Sequence, residues 1–386
     1  MTIGTLTVRS VCFNYTTSEA LDSLFHTFRE MSNDAIGIAL KEKPKNRFTL
    51  ITLAYHKLKH YGLHTHYILS ACEIAYAVYK NKNRKSDPYI KKSFIKLDIQ
   101  TYALNYPTIR IPARPRQFIH LTLQASDYHL SFINDTSLKR GSVTLTDNVV
   151  SIAFSRQTAQ IEPLGRIGID VNEKNITLSD SEGNTEQIDT SEIVDIKARY
   201  RVIRAKIARH TQKDWKTQRR LLGKYGRNEK NRTVQRLHKI SKAIAQYAYQ
   251  KNYCIVMENL KGIRKLYRKG NGQAPSFRGR MNSWTFNEIQ RQIEYKSSWL
   301  GNPVAYVNPR GTSRNCPCGS HVVVLDNRRV WCPACDKIWD RDVLASKNIM
   351  ARMVLRDRPP RGRGDREPEP RSETVIPRPD GWKLAY

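Results

Sequence analysis

The stretch that decides the fold is 315-NCPCGSHVVVLDNRRVWCPACDKIWDRDVLASKNI-349. It places two cysteine pairs, Cys316/Cys318 and Cys332/Cys335, on a compact basic segment, and then enters an acidic helix start. Four thiolates on two short loops suit one tetrahedral Zn²⁺, because each loop offers two soft ligands to the same ion. The stretch therefore predicts a structural zinc ribbon that leads directly into a helix.

Other interpretations of these cysteines stay open. One alternative is that the four cysteines are ordinary thiols in a reducing compartment. Another is that hydrophobic packing has replaced the metal. The first pair, Cys-Pro-Cys, is one residue shorter than the usual C-x-x-C, so the first loop is strained or borrows a ligand such as His321. Cys12, Cys72 and Cys254 are dispersed in apolar contexts, which is typical of reduced thiols and not of a disulfide framework.

Length and charge limit the function. The 386 residues suffice for two or three domains, and the formal net charge of +31 would make the chain repel itself unless a polyanion neutralises it. Nucleic acid is the expected polyanion, since the rival, a basic membrane-surface protein, requires an amphipathic or lipid-anchored segment that does not stand out. The sequence contains no apolar run of about 18 residues and begins with a strand-like alternation, so we expect a cytoplasmic protein.

The first third of the chain alternates between strand and helix patterns. Residues 5–14 read as a strand, Thr16 with Glu19 forms a capping-box pattern, and a helical period then runs to Pro44. Two further helical stretches make a small helical module. Its basic fringe is a candidate binding surface or simple solubilising charge: Lys57, Lys59, Lys80, Lys82, Arg84 and Lys85.

From about Lys96 the period returns to two. Five segments predict short strands that form a small β-barrel or sandwich with the first strand, so the helical module is an insertion. Three arginines lie beside Tyr106 and Phe118 in the sequence. This mixture of cations and aromatic rings is a weak signal for a surface that binds a nucleic-acid backbone and stacks against its bases. The predicted strands are KLDIQTY, TIRIPAR, QFIHLTLQA, HLSFIN and SVTLTDNVVSIAFSR, and the arginines are Arg110, Arg114 and Arg116.

The remainder of the chain, from Leu164, alternates strands with basic helices. GRIGIDVNEKNITLSDSEGN predicts a strand that displays Asp170 and turns back into a second strand. YCIVMENL predicts a central strand with Glu258 at its carboxyl end, where open α/β sheets build their sites. Residues 261–280 predict a mobile loop. Between two predicted helices lies a basic cluster for which we favour phosphate binding over a solvated face: Arg219, Arg220, Lys224, Arg227, Lys230 and Arg232.

Three carboxylates form the candidate catalytic site. Asp170, Glu258 and Asp342 lie on a strand, a strand end and a helix start, and acids that converge from such elements repel unless cations share them. Two Mg²⁺ ions held there could activate a water and stabilise the leaving oxygen of a phosphodiester. Each acid also has a structural alternative, such as a surface turn for Asp170 or a helix cap for Asp342, and Asp340 competes for the third position.

Four motifs then identify a family. GIDVNEKN, VMENLKGI, YKSSWLGNPVAYVNPRGTSRNCPCG and CPACDKIWDRDVLASKNI resemble the RuvC-type nuclease motifs and zinc ribbon of the TnpB family of transposon-encoded RNA-guided DNA endonucleases, relatives of type V CRISPR effectors. The resemblance covers residues 164–355. It implies that the catalytic, Mg²⁺-binding acids are Asp170, Glu258 and Asp342, the last chosen over Asp340 by its place in the motif. It implies one structural Zn²⁺ on Cys316, Cys318, Cys332 and Cys335.

The resemblance also implies a fold and a domain layout. The expected fold is α/β with additional β and α modules: an RNase H-like, RuvC-type nuclease domain with an inserted zinc ribbon, and an N-terminal β-barrel-like domain with an inserted helical module. The expected boundaries are 1–15 and 96–163 for the β (wedge-like) domain, 16–95 for the helical recognition module, 164–311 and 337–355 for the nuclease domain, 312–336 for the ribbon and 356–386 for a disordered tail.

The function implied is RNA-guided, Mg²⁺-dependent cleavage of DNA at a single RuvC-like site. The partners implied are a guide RNA from the transposon end and a target double-stranded DNA with a short flanking motif, with no membrane, in a prokaryotic cytoplasm where the protein joins the nucleoid when bound to DNA. Base pairing between guide RNA and target DNA supplies the sequence specificity, while the basic protein binds the phosphate backbones of both. Two alternatives remain: a nuclease-inactive RNA-guided repressor, and a DNA-strand-joining transposase that needs no guide RNA.

Overall fold

The structure is a computed structural model that describes residues 4–82 and 87–353. The chain divides into an N-terminal unit, Leu6–Gln157, and a C-terminal unit that begins at Thr158 and includes Gly4 and Thr5. The predicted disordered tail, 356–386, lies outside the described residues, as do Arg84 and Lys85 of the basic fringe.

The N-terminal unit combines one sheet with a helical module inserted after its first strand. The strands are β1 (Gly4–Tyr15), β2 (Ile95–Leu97), β3 (Ala103–Asn105), β4 (Thr108–Arg114), β5 (Gln117–Gln124), β6 (Lys139–Thr146) and β7 (Val149–Ala159). The helices are α1 (Glu19–Glu42), α2 (Arg47–Leu58), α3 (Thr65–Lys80) and α4 (Asp127–Ile133), with a 3-10 turn at Lys59–Tyr61.

The seven strands are ordered β2-β6-β7-β1-β5-β4-β3, so β1 lies in the middle and pairs with strands that follow the helices. This confirms that the first strand joins the later β region and that the helical module is an insertion. At the β3 end the Tyr102 hydroxyl donates to the Gly141 carbonyl of β6 at 2.8 Å, and Arg140 Nη1 donates to the Leu104 carbonyl at 2.9 Å. The sheet therefore curves back on itself.

Three local predictions in this unit were wrong. Thr16 and Glu19 form no capping box, because α1 begins at Glu19 with Ser18 as its N-cap. HLSFIN is not a strand but lies mostly in α4, because Ser126 forms a capping box with His129 that nucleates a helical turn. In KLDIQTY only the first residues are extended, as β2.

In its described residues the C-terminal unit contains a five-stranded sheet, a three-stranded ribbon and five helices. The strands are β8 (Gly165–Val171), β9 (Asn175–Asp180), β10 (Thr185–Asp189), β11 (Tyr253–Glu258), β12 (Val304–Val307), β13 (Val323–Val324), β14 (Arg329–Cys332) and β15 (Lys337–Asp340). The helices are α5 (Ser191–His210), α6 (Trp215–Gln250), α7 (Pro275–Ser283), α8 (Phe286–Leu300) and α9 (Arg341–Arg352), with a 3-10 turn at Ile263–Tyr267.

The main sheet of this unit is ordered β10-β9-β8-β11-β12. The first three strands are antiparallel neighbours, whereas β11 runs parallel to both β8 and β12. β11 is therefore a central strand, as its continuous apolar run predicted, and both faces of it are buried. The α/β class predicted for this part of the chain is confirmed.

The two faces of this sheet have different partners. Alternate residues of β8, Ile167 and Ile169, join a hydrophobic core with residues of α6 and α8 such as Leu237, Ile244 and Ile289. The opposite face of β8 carries Gly168 and Asp170, and α9 packs there.

The close approach of α9 depends on Gly168. A Cβ atom at this position would lie 2.1 Å from the Ser346 carbonyl oxygen and 2.7 Å from the Met350 nitrogen, both backbone atoms of α9. The Ser346 hydroxyl also meets the Ser179 hydroxyl of β9 at 2.6 Å. These contacts hold the middle of α9 closely against β8 and β9.

Two predictions about the connections of this unit need correction. The basic cluster at residues 219–232 does not connect two helices but forms part of the single helix α6, because Arg and Lys favour helix and no proline interrupts the run. Residues 261–280, predicted as a mobile loop, contain the 3-10 turn and the larger part of α7, from Pro275 to Arg280.

Candidate active site

Two of the three predicted acids lie on neighbouring parallel strands. Asp170 is the next-to-last residue of β8 and Glu258 is the last residue of β11. The two strands pair with Met257 opposite Ile169, so the acids follow one position later on adjacent strands. Asp170 is only 8% exposed. The carboxyl ends of the central strands therefore present both acids at one edge of the sheet.

Asp342 reaches the same edge from α9. The helix cap is Asp340, whose side chain accepts from the backbone N–H groups of Asp342 at 2.8 Å and Val343 at 3.1 Å. The capping role considered for Asp342 thus falls on its neighbour, and the Asp342 side chain is free of it. Asp342 is 2% exposed, and its Oδ2 accepts from the Asn175 side-chain amide at 3.0 Å. Asp340 and Asp342 therefore have separate roles.

Each strand acid has its own hydrogen-bond partner. Asn172 Nδ2 donates to Asp170 Oδ2 at 2.7 Å, and the Thr312 hydroxyl donates to Glu258 Oε1 at 2.6 Å. The backbone carbonyl of Glu258 accepts from Gln290 Nε2 at 2.7 Å, which ties the strand end to α8. These bonds orient the carboxylates before any ligand arrives.

The pKa of Asp170 responds to both of the other acids. Burial raises the pKa of Asp170 to about 7, and repulsion from Glu258 and Asp342 adds to this effect, while the Asn172 hydrogen bond and the Arg328 charge oppose it. Burial also raises the pKa of Glu258. Buried carboxyls whose pKa values are raised, such as those of Asp170 and Glu258, are stabilised in their charged form when a cation binds beside them. We call Asp170, Glu258 and Asp342 the acid site.

Arg328 enters this site from the turn between β13 and β14. Its guanidinium forks onto both carboxylate oxygens of Asp342, with Nε at 3.1 Å from Oδ2. Asn327 and Arg328 both adopt left-handed backbone conformations, and the Arg328 carbonyl accepts from the Arg341 N–H at 2.8 Å. The Arg328 side chain is 55% exposed, whereas the Asp342 side chain is buried. The guanidinium therefore approaches the buried carboxylate from the solvent side.

The ligand oxygens of Asp170, Glu258 and Asp342 do not all lie within 4.8 Å of one another in the structure. Of the residues that the structure describes, only the cysteines form a group of three or more metal-ligating side chains whose ligand atoms all lie within 4.8 Å of one another. Arg328 and Asn175 hold Asp342 while Thr312 holds Glu258, so each carboxylate has a separate partner. The carboxylate oxygens are hard ligands of the kind that Mg²⁺ prefers, so the donor set fits this ion.

The second predicted metal site is the cysteine cluster of the ribbon. The Sγ atoms of Cys316 and Cys335 are 3.5 Å apart, those of Cys318 and Cys332 are 3.5 Å apart, and those of Cys335 and Cys318 are 3.8 Å apart. Four sulfurs bound to one Zn²⁺ at about 2.3 Å lie about 3.8 Å from each other in a tetrahedron. The cluster therefore has the spacing and the donor set for one zinc ion.

The shortened first loop reaches this geometry without His321. The turn Cys316–Gly319 closes through a hydrogen bond from Gly319 N to the Cys316 carbonyl at 2.9 Å, with Gly319 in the left-handed region at φ 92°. Burial disfavours the Cys332 thiolate, but hydrogen bonds from Cys335, Ala334 and Cys318 outweigh it and lower the pKa of Cys332 to about 6, whereas hydrogen bonds with Cys332 and Cys316 raise the pKa of Cys335 to about 12. A thiolate is the form that binds metal.

The sequence analysis missed several residues around the acid site. Asn172 and Asn175 lie inside the GIDVNEKN motif and could have been singled out as polar residues at a strand turn. Arg328 follows a turn signal, Asp326-Asn327, but no local pattern indicates that it reaches α9. Thr312 lies inside the YKSSWLGNPVAYVNPRGTSRNCPCG motif, but no local pattern indicates that it reaches Glu258.

Comparisons with known proteins identify the family of this chain. The family model of the Cas12f1-like TNB domain matches residues 286–349. TnpB-like protein MJ0751 of Methanocaldococcus jannaschii is 35% identical over 250 residues, which cover 62% of this chain and 89% of that protein. The chain belongs to the TnpB-like family. TnpB-like protein MJ1635 of the same organism is 21% identical over 348 residues, 87% of this chain and 79% of that protein.

Solved structures share the fold of this TnpB-like chain. The Cas12f1–sgRNA–target DNA complex matches with a TM-score of 0.61 and 13% identity, over 86% of this chain and 83% of that chain. The mini-RNA-guided endonuclease CRISPR-Cas_phi3 matches with a TM-score of 0.54 and 10% identity, over 91% and 92%. In residues 4–82 and 87–353 no helix has the length and apolar character required to span a membrane.

Proposed function

We propose that this TnpB-like chain is an RNA-guided DNA endonuclease of transposon origin, which cuts target DNA by Mg²⁺-dependent phosphodiester hydrolysis at a single site. The observation that carries the proposal is the acid site, where three separate elements deliver Asp170, Glu258 and Asp342 and where Asp170 resists ionisation without a cation. Two structural neighbours, a complex of Cas12f1 with sgRNA and target DNA and a mini-RNA-guided endonuclease, support the choice of RNA and DNA as partners.

The acid site would hold two Mg²⁺ ions between its carboxylates. When bound, such ions supply charge for the in-line displacement at phosphorus, by lowering the pKa of the attacking water and stabilising the leaving oxygen. The chain's own residues prepare the site: Asn172 orients Asp170, and Thr312 orients Glu258. The burial of the acids excludes bulk water, which strengthens their interaction with a cation.

Arg328 has a second task in this proposal. In the metal-free protein its positive charge offsets the repulsion between Asp342 and the strand acids. If a cation took its place beside Asp342, the Arg328 guanidinium would be free at the solvent side of the site, where it could bind a phosphodiester oxygen pair. Arg328 would then serve first to offset the charge of Asp342 and afterwards as a phosphate contact.

The rest of the chain would bind nucleic-acid backbones. A net charge of +31 is neutralised by a guide RNA and its DNA hybrid, which releases counterions and makes binding sensitive to salt. We assign the N-terminal β domain and helical module to guide RNA and to the DNA motif that flanks the target, and the ribbon to the support of α9, since β15 runs directly into that helix. One Zn²⁺ on the four cysteines would stabilise the ribbon.

A cleavage assay on a supercoiled plasmid tests this proposal. The protein is purified with the RNA that accompanies it, and the plasmid carries the sequence complementary to that RNA beside randomised flanks. We expect cutting by the wild type in Mg²⁺, and none in EDTA or by Asp170→Ala, with Asp195→Ala on the exposed face of α5 as the matched control. Binding without cutting by the wild type would indicate a guided repressor, and joined strands without RNA would indicate a transposase.

A further inference from the structure

Two oxygen atoms beside the acid site are buried and have no hydrogen-bond partner in the described part of the chain. They are Thr177 Oγ1 and Asn175 Oδ1, both on β9. Thr177 is 0% exposed, so bulk solvent does not satisfy its hydroxyl. A buried polar atom without a partner is unfavourable and is rare in folded proteins. Two of them next to a group of acids need an explanation.

The register of the sheet directs Thr177 towards the acids. In the antiparallel pair of β8 and β9, Thr177 lies directly opposite Asp170, so the two side chains share a face. Two residues further along β9, Ser179 contacts Ser346 of α9 at 2.6 Å. Since Asp342 lies one helical turn before Ser346, Thr177 faces the turn of α9 that carries Asp342.

Asn175 approaches the same acids with a defined orientation. Its side-chain nitrogen donates to Asp342 Oδ2 at 3.0 Å, and this contact assigns the amide because a carboxylate accepts only from the NH₂ group. The Oδ1 atom of Asn175 is therefore left as an unused acceptor beside Asp342. The Thr177 hydroxyl and the Asn175 carbonyl oxygen can therefore accept hydrogen bonds beside the three acids. An anion would be repelled there by the carboxylates, so the donor must belong to a neutral or positively charged group.

The geometry points to a role for these two side chains in holding water molecules of a hydrated divalent cation. We propose that Thr177 Oγ1 and Asn175 Oδ1 accept hydrogen bonds from water in the hydration shell of Mg²⁺ at the acid site. Mg²⁺ gives up its water reluctantly and is held by few carboxylates, so its retained waters need acceptors in the protein. Both are positioning residues, because they act through water and not on the substrate. The inference rests on the proposed metal site but not on DNA cleavage.

The test compares Mg²⁺ binding by the full-length protein and four variants, measured as the Mg²⁺ concentration that gives half of the thermal-midpoint shift. Thr177→Val keeps the shape and removes the hydroxyl, whereas Thr177→Ser keeps the hydroxyl. Thr233→Val is the matched control, since the Thr233 hydroxyl of α6 is also buried without a partner but lies on a helix that carries none of the acids. Asp170→Asn removes one carboxylate of the acid site, so it shows how much of the Mg²⁺-dependent shift in the thermal midpoint comes from binding elsewhere.

We expect Thr177→Val to require about tenfold more Mg²⁺, as is usual when an outer-shell partner of a metal is lost. Thr177→Ser and Thr233→Val should match the wild type. In EDTA, Thr177→Val should be at least as stable as the wild type, because the hydroxyl has no partner there to lose. Wild-type Mg²⁺ binding by Thr177→Val, equal weakening by Thr177→Ser, or lower stability of Thr177→Val in EDTA would each overturn the assignment.

The same variants separate this inference from the proposed nuclease activity. Should the wild type bind Mg²⁺ but cut no DNA, a weakened Thr177→Val still supports the water-holding role while the nuclease proposal fails. Should the wild type cut DNA and Thr177→Val bind Mg²⁺ normally, the nuclease proposal stands and the role of Thr177 is wrong.

Discussion

Replacing Asp170 by asparagine should stabilise the metal-free protein while removing its proposed activity. Burial and the nearby acids raise the pKa of Asp170 from its ordinary 3.8 to about 7. Between these two values the folded protein binds a proton that the unfolded chain has lost, so the free energy of unfolding falls as the pH rises through that window. The asparagine does not ionise and carries no such penalty.

The magnitude follows from the shift. Each pKa unit corresponds to about 1.4 kcal/mol, so the penalty removed by Asp170→Asn is at most about 4 kcal/mol at pH 8 and about 2 kcal/mol at pH 5. The variant should therefore unfold at higher urea concentration than the wild type, by a margin that grows from pH 5 to pH 8. Mg²⁺ should reduce the margin, because binding to the folded wild type alone stabilises it.

The assay is urea unfolding in EDTA at pH 5 and pH 8, repeated at pH 8 with Mg²⁺. Asp195→Asn, on the exposed face of α5, removes one carboxylate of the same unit without touching the acid site and should follow the wild type. Two results would refute the reasoning that burial and the neighbouring acids raise the pKa of Asp170. One is an Asp170→Asn protein that is no more stable than the wild type at pH 8. The other is a difference in stability between the two proteins that does not change with pH.

Three further predictions concern the elements around the acids. Arg328→Gln should lower the Mg²⁺ concentration for half-maximal binding, because the cation that competes for Asp342 is lost; the neighbouring Arg329→Gln is the control, and unchanged Mg²⁺ binding would contradict the role of Arg328 in offsetting the charge of Asp342. Gly168→Ala should destabilise the protein by about 1–3 kcal/mol and displace α9, since its Cβ meets two backbone atoms, whereas Gly223→Ala on α6 should be neutral or stabilising in the same unfolding measurement. Cys332→Ser should reduce zinc content below about one ion per chain by elemental analysis and lower activity through a loosened ribbon; full stability without zinc would show that the cluster does not need the metal.

The main elements of the C-terminal unit could be predicted because their signals are local. The continuous apolar run of β11 and the strand pattern of β8 are consequences of burial, which the sequence records directly. The cysteine spacing likewise predicted a cluster that the structure forms. The roles of the acids and the domain boundaries remain predictions that the proposed experiments address.

One error was local, and the others depend on contacts between residues that are far apart in the sequence. HLSFIN alternates like a strand, yet the capping box formed by Ser126 and His129, which are close in the sequence, makes it helical. Arg328 reaches Asp342 only because the β13–β14 turn adopts two left-handed residues in succession, a feature of the folded hairpin. The unpaired oxygens of Asn175 and Thr177 become visible only once every neighbouring donor is placed.

The central claim is that a guide RNA directs the acid site to DNA. The most direct measurement is cleavage of a supercoiled plasmid by the protein after its own RNA has been removed and replaced by a guide with a new target sequence. The account predicts almost no specific cutting without RNA, and a cut that moves to the new target when the guide is changed. Cutting at one fixed site, indifferent to the removal of RNA and to the guide sequence, would contradict it.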